Sequence, residues 1–506
     1  MNQIDLPRHS DTVIVGGGVG GAIVAARLAA ASDENVLLLE AGPDFGPRDS
    51  GRWPRELLDF TAMAVASHPW HYTSAAAAGS PGLTIERARV IGGCSSHNGC
   101  AVVWGWRGDY DAWAAAGNPG WDGDSLLPHF RRANEAFRVV QPTRAEITPW
   151  HQACLDAAPD AGFPLIADLN NLDHGLGIAI GPLNVVDGLR WNSAFAYLDP
   201  VRDRPNLRIA GDALVDRVVI DRGRAVAVEA VTNGELVRIG AGRVVLAGGA
   251  YGTPLVLLRS GIGDPLEVTP FGIEPVHSLP GVGRGLQDHP ATRVVFGCTP
   301  RLEDAMNAFV AAGGDAREEG TIVLARSSRC TSGFDLHLYP LGSRMEDGSW
   351  RFAIYTAVME VKSAGSVRLS GREPEALPVI DTGYFSDPDG ADLAVLADGV
   401  RLARELATQE PLTSIHGGEI EPCLPLDELP AYIRSHSLHD YHPSSSCRMG
   451  PSNDPMAVVD ANGKVHGLEG LYLADASIMP FVPRANTNLP TAVVGEKIAA
   501  ALIAGS

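Results

Sequence analysis

A glycine-rich turn near the N-terminus constrains this chain more than any other feature. The run Thr12-Val13-Ile14-Val15 leads into Gly16-Gly17-Gly18-Val19-Gly20-Gly21, and the Ala-rich stretch from Ala22 to Ala31 follows. A second apolar run, Val36 to Leu39, ends on Glu40. Strand, tight turn, helix and strand in this order predict a Rossmann-like unit for a dinucleotide. In Gly16-x-Gly18-x-x-Gly21 the first glycine permits the turn. The second lets the backbone approach a pyrophosphate, and the third lets helix and strand pack closely. The helix N-terminus then presents N–H groups and a positive dipole end to the anion. Glu40 stands where a carboxylate binds ribose hydroxyls, about 20 residues after the turn.

The remaining 450-odd residues must be accommodated around that unit, and bulk properties limit how. A chain of 506 residues is too long for one small core and fits two closely joined domains. No stretch approaches the ~18 uninterrupted apolar residues of a membrane span. The start, Met1 to Asp5, has neither basic residues nor an apolar run, so a cytoplasmic protein with no membrane partner is expected. Seven scattered cysteines, none in CxxC spacing, indicate neither a zinc site nor a disulfide framework, so no metal is expected. The formal charge of −20 argues against nucleic acid, whose phosphates need a basic surface.

Residues 43–125 read largely as loop, with a helix over Asp124 to Ala136. Residues 206–250 read as a β-meander and 291–375 as further strands. Helices are expected at 389–407, 426–435 and 491–503. The expected fold is α/β (α+β overall): a Rossmann-like domain with a mainly antiparallel-sheet substrate domain. The first is assembled from 1–150, 205–295 and 440–506. The second comes from 151–204 and 296–439, with the active site between them.

Three further segments carry a family resemblance. Arg89-Val90-Ile91-Gly92-Gly93-Cys94-Ser95-Ser96-His97-Asn98-Gly99 resembles the flavin-contacting signature of the glucose-methanol-choline (GMC) oxidoreductases. Gly249-Ala250-Tyr251-Gly252-Thr253-Pro254 resembles their second signature, and Gly285-Leu286-Gln287-Asp288-His289-Pro290 the turn after it. The similarity runs from about residue 11 to about residue 500, in the family's order. It implies FAD as the cofactor. Gly16, Gly18, Gly21 and Glu40 would hold its ADP half, with the backbone of Val215 at the adenine. Gly92, Gly93, Asn98 and Ala101 would line the ring and ribityl region, and Asp475 would sit by the pyrophosphate. His97 matches the histidine that carries a covalent flavin in the choline oxidase-like members, so an 8α-histidyl FAD is expected.

The same resemblance implies a catalytic pair. In Tyr441-His442-Pro443 the histidine matches the family's base, and Asn488 matches its partner. Alcohol oxidation needs such a pair, because the hydroxyl becomes acidic as its C–H hydride leaves. An imidazole titrating near pH 6.5 suits that proton at neutral pH. His289 reads as structural. Glu360 stands where choline oxidase-like members place a histidine near the substrate, and Asp440 where they have a small apolar residue. Both are candidate substrate carboxylates. They point to a polar amino or polyhydroxy alcohol, with choline or a simple primary alcohol as the alternatives. In choline oxidase-like members the apolar residue at this position helps oxygen react, so Asp440 counts against fast oxidation by O₂, and O₂ or another electron acceptor is expected. The family also contains hydroxynitrile lyases, the alternative from another class. Some of Trp70, Trp104, Trp106, Trp113 and Trp121 are expected in the pocket.

Overall fold

The computed structural model describes residues 6–76 and 82–505. The five N-terminal residues on which the reading of the leader rested lie outside the described ones. The chain builds two seven-stranded sheets, each over its own apolar core.

The N-terminal unit forms as its pattern dictates. Strand β1 (His9–Val15), helix α1 (Val19–Ala31) and strand β2 (Val36–Leu39) follow in order. The four residues of β2 are all buried, as in a parallel strand covered on both faces. Strand order in the first sheet is 207–210, β2, β1, 235–246, 224–232 and 213–221, with 471–473 also on the strand 235–246. The members from 207–210 to 471–473 are parallel. The strands 213–221, 224–232 and 235–246 form an antiparallel meander. Leu207–Ala210 therefore does not join the meander expected of it. It lies parallel to β2 on the far edge.

Helix α1 packs against the last helix, Asn488–Ala504. Their approach is close because small residues face each other: a Cβ on Gly495 would stand 3.2 Å from the Gly20 Cα. The last helix begins at Asn488, three residues before its expected start. The helix expected at 124–136 runs from Gly123 to Ala136 and is capped by the Asp122 carboxylate, which accepts from the Ser125 N–H at 3.0 Å.

The second sheet is antiparallel throughout, in the order 416–421, 290–298, 350–358, 336–344, 321–325 and 177–180. Pro290–Cys298, expected to straddle a boundary at 295, lies wholly in this sheet. The short strand Leu438–His439 pairs with it. Helix Ala391–Ala407 covers one face, with Gly399 admitting Leu336 and Thr356 to its backbone. Among the described residues no helix is long and apolar enough to cross a membrane.

Candidate active site

A cavity of about 1060 Å³ runs between the two sheets. Pockets for small ligands span about 300–1,000 Å³, so this one has room for a dinucleotide together with a substrate. Its wall includes Gly16, Gly18, Glu40, Val215, Gly93, His97, Asn98, Ala101, Asp475, Asp440, His442 and Asn488. Gly21, Gly92 and Glu360 are not on its wall.

The glycines divide the work of the turn. Gly16 has φ +100°, and a Cβ there would strike the Ala247 carbonyl at 2.4 Å. A Cβ on Gly21 would meet the Gly16 oxygen at 1.9 Å, so this glycine serves packing. At Gly18 the nearest atom to such a Cβ is 3.9 Å away, and the space belongs to the cavity. Helix α1 starts at that point without a side-chain cap, which leaves first-turn N–H groups for an anion. Gly92 adopts φ +85° in a turn whose N–H donates to the Gly17 carbonyl at 2.8 Å. It thus docks the second glycine-rich segment on the first.

Glu40 accepts from the N–H groups of Gly17 (2.7 Å) and Gly42 (2.9 Å). Burial pushes it up to about 7 against those two bonds. Asp475 accepts from the Gly249 and Ser477 N–H groups, both at 2.8 Å, and from the Thr253 hydroxyl at 2.6 Å. It ties helix Gly249–Arg259 to the loop beneath α1. Burial raises its carboxyl as well. His97 is buried, and among the described residues its Nδ1 has no hydrogen-bond partner. Burial pushes the Cys94 thiol beside it up, but Arg87 and His97 outweigh this and hold it down to about 6.

At His442, two segments distant in sequence are zipped together. Ser444 and Gln287 exchange backbone bonds of 2.8 and 3.1 Å, and the Asp440 N–H donates to the His289 carbonyl. The His442 N–H donates to Asp288 Oδ1 at 2.8 Å. Tyr441, just before His442, is held at φ 63°, a strained conformation of the kind found at functional sites. The turn resembling the family's third segment is thus the mould for the loop of His442.

The zip brings three titratable side chains together. His289 Nδ1 is 3.0 Å from His442 Nδ1, and Asp440 Oδ2 is 3.2 Å from the same His442 atom. All three donor atoms lie within 4.8 Å of one another. His289, read as structural from the sequence, therefore touches the proposed base. Asn488 sits at the first position of its helix with Nδ2 unpartnered, and the Asn486 Oδ1 is also unpartnered. Such buried polar atoms facing a cavity fit a bound group.

Glu360 does not fit the substrate role expected of it. It lies against Lys362 Nζ (2.5 Å) and Arg484 Nη2 (2.6 Å), and that arginine stacks on Trp106. Its charge is consumed by two cations. The carboxylate missed by sequence reasoning is Glu319. It lines the cavity, and its carboxylate has no hydrogen bond or ion pair among the described residues. Burial pushes it up to about 8, with Glu318 and Asp440 adding to the effect. Its segment, Arg317-Glu318-Glu319-Gly320, has no periodicity or motif to distinguish it. Of the five tryptophans only Trp70 reaches the cavity. Trp104, Trp113 and Trp121 are buried in the first core.

The chain matches the two models of the family described as GMC oxidoreductase, over residues 10–291 and 361–495. The chain belongs to this family. It is therefore an FAD-dependent oxidoreductase acting on alcohols. Mitochondrial choline dehydrogenase of Mus musculus is 34% identical, over 96% of this chain and 88% of the relative. The oxygen-dependent choline dehydrogenase of Paraburkholderia xenovorans is 32% identical, over 97% and 93%. Among solved structures, pyridoxine 4-oxidase from Mesorbium loti superposes with a TM-score of 0.85 at 26% identity, over 97% of this chain and 99% of that one. The glycine turn, uncapped helix and unpartnered polar atoms of the cavity fit the family's FAD.

Proposed function

We propose that this enzyme oxidises an alcohol bearing an amine or several hydroxyl groups, with His442 as the base. The observation that carries the reading is Glu319, a carboxylate on the cavity wall that no cation of the described protein neutralises. Without a partner its carboxyl is held up to about 8, and an ammonium on the substrate would stabilise its charged form. Relatives named for choline, itself an alcohol with a cationic nitrogen, support this reading.

Gly16, Gly18, Glu40, Val215, Asn98 and Asp475 would hold FAD, which would supply the acceptor for the substrate's hydride. The protein's own residues bind, orient and take the proton. His442 is nearly fully buried, and its Nδ1 is occupied by His289 and Asp440. Nε2 is left to receive the hydroxyl proton. Asn488 holds the same oxygen with its unpartnered amide. Positioned base catalysis of this kind contributes about 10²–10⁴ in rate. O₂ or another oxidant would be the final electron acceptor. We also assign His97 as the covalent flavin anchor, supported by its unpartnered Nδ1 on the cavity wall, and the cytoplasm as the site of action.

Anaerobic mixing of the holoenzyme with a panel of alcohols tests the reading. Amino and polyhydroxy alcohols should bleach the flavin band. Bleaching by uncharged aliphatic or aryl alcohols alone would remove it. Acid precipitation of the same preparation should leave the yellow colour in the pellet, and His97→Asn should release it to the supernatant. Release from the unaltered protein would refute the covalent bond.

A further inference from the structure

We infer that Asp440 and His289 are positioning residues that fix the proton of neutral His442 on Nδ1 and so keep its Nε2 lone pair free for the substrate. This rests on the reading of His442 as the base, and concerns how that base is kept in its working form.

The geometry presents a choice between two states. The two Nδ1 atoms are 3.0 Å apart, a distance that requires one proton between them. If His289 donates, His442 carries its own proton on Nε2 and has no lone pair for a hydroxyl. If His442 donates, Nε2 is free. Two identical imidazoles in a symmetric setting would populate both states. The setting is not symmetric. Asp440 Oδ2 is 3.2 Å from His442 Nδ1 but 3.9 Å from His289 Nδ1. A carboxylate stabilises the N–H nearer to it, so the proton resides on His442. Asp440 Oδ2 thus favours the His442 N–H from 3.2 Å, while His289 Nδ1 at 3.0 Å serves as an acceptor for it.

Both helpers are themselves held. His289 is fully buried, and burial pushes it well below the usual imidazole range, so it stays neutral with a lone pair to offer. Asp440 is fixed through its own N–H to the His289 carbonyl. Burial raises the Asp440 carboxyl, and His442 opposes this most strongly. The other titratable groups facing the cluster are Asp288, His439 and Tyr441 on or beside the loop, Glu319 and Tyr384, His337 and Tyr339 on the strand 336–344, and Tyr355 on the strand 350–358. Among the carboxylates of the described residues only Asp440 lies within 4 Å of His442 Nδ1. When substrate gives its proton to Nε2, the same carboxylate lies against the resulting imidazolium. No change in its position is needed.

The test compares the holoenzyme with Asp440→Asn, which preserves shape and removes charge. In ¹⁵N-histidine NMR, the unaltered protein should show His442 as the Nδ1–H tautomer, and the variant should shift population to Nε2–H. The variant's kcat for flavin reduction should fall by roughly 10²-fold with KM little changed. The acid limb of its kcat/KM profile should move to lower pH, because the imidazolium loses its stabilising charge. Asp440→Glu should recover part of the rate. An unchanged tautomer and unchanged kcat would overturn the inference. So would a raised KM for cationic alcohols at unchanged kcat, since Asp440 would then be a substrate ligand. His442→Ala separates the two layers: flavin reduction at an undiminished rate in that variant would remove the base itself, whatever Asp440 does.

Discussion

Glu319 is the residue on which substrate choice turns. Its carboxyl is held up to about 8 by burial and by neighbouring acids, so below that pH it is largely neutral in the free cavity. An ammonium binds the charged form. Binding of a cationic alcohol is therefore coupled to proton loss, and its KM should fall as pH rises towards 8 and level off above it. Glu319→Gln removes the charge and with it the slope. The variant's KM for an amino alcohol should rise at least ~30-fold, the equivalent of about 2 kcal/mol for breaking a buried charge pair. Turnover of a neutral alcohol should change little. Steady-state kinetics from pH 6 to 9 with both substrate types decides this, and a pH-independent KM in the unaltered enzyme counts against the assignment. At this scale the sequence was legible where a motif existed and opaque where only proximity mattered. His442 and Asn488 stand in recognisable segments. Glu319 sits in a featureless acidic loop, and His289 acquires its contact with His442 through a chain reversal 153 residues long. Glu360 misled because Arg484, which pairs with it, is remote in sequence, although Lys362 stands only two residues on.

The turn between β1 and α1 shows how one element separates folding from binding. Gly18 and Gly20 are two residues apart but are glycine for different reasons. A methyl on Gly20 would lie 1.8 Å from the Ala474 carbonyl, so α1 would have to leave the loop that carries Asp475. A methyl on Gly18 would enter open cavity. Gly20→Ala should therefore destabilise the apoprotein by about 1–3 kcal/mol, as overpacking does. Gly18→Ala should leave apoprotein melting unchanged yet lower the flavin-to-protein ratio. Thermal melts of apoprotein and absorbance ratios of purified holoprotein measure the two effects separately. Equal melting of the two variants would show that the contact at Ala474 relaxes without cost. Element types were largely readable from periodicity, as with the last helix and the strands 336–344 and 350–358. Partners were not. Leu207–Ala210 has the alternation of a strand wherever it pairs, and only packing against β2 selects the parallel edge over the meander. The same limit affected the strand 290–298, whose sequence does not say which sheet it joins.

Over the whole molecule, the charge of −20 and the carboxylates of the cavity act on a cationic substrate over different distances. Surface charge works through the solvent and is screened beyond a Debye length of about 10 Å at 0.1 M salt. Glu319 lies inside a cavity walled by both sheets, where salt screens poorly. If the global field steers the substrate, kcat/KM for an amino alcohol falls with ionic strength, while that for a neutral alcohol stays flat. Steering of this kind is worth roughly 10–10³ in encounter rate. Glu319→Gln distinguishes the two sources. Its kcat/KM is lower at every salt concentration, but the logarithmic slope against ionic strength should match that of the unaltered enzyme, because the outer charges are unchanged. Initial rates at sub-saturating substrate between about 0.01 and 0.5 M salt, across the screening range, give both slopes. A slope that vanishes in the variant would mean that a single carboxylate supplies all the attraction and that the acidic surface serves solubility alone.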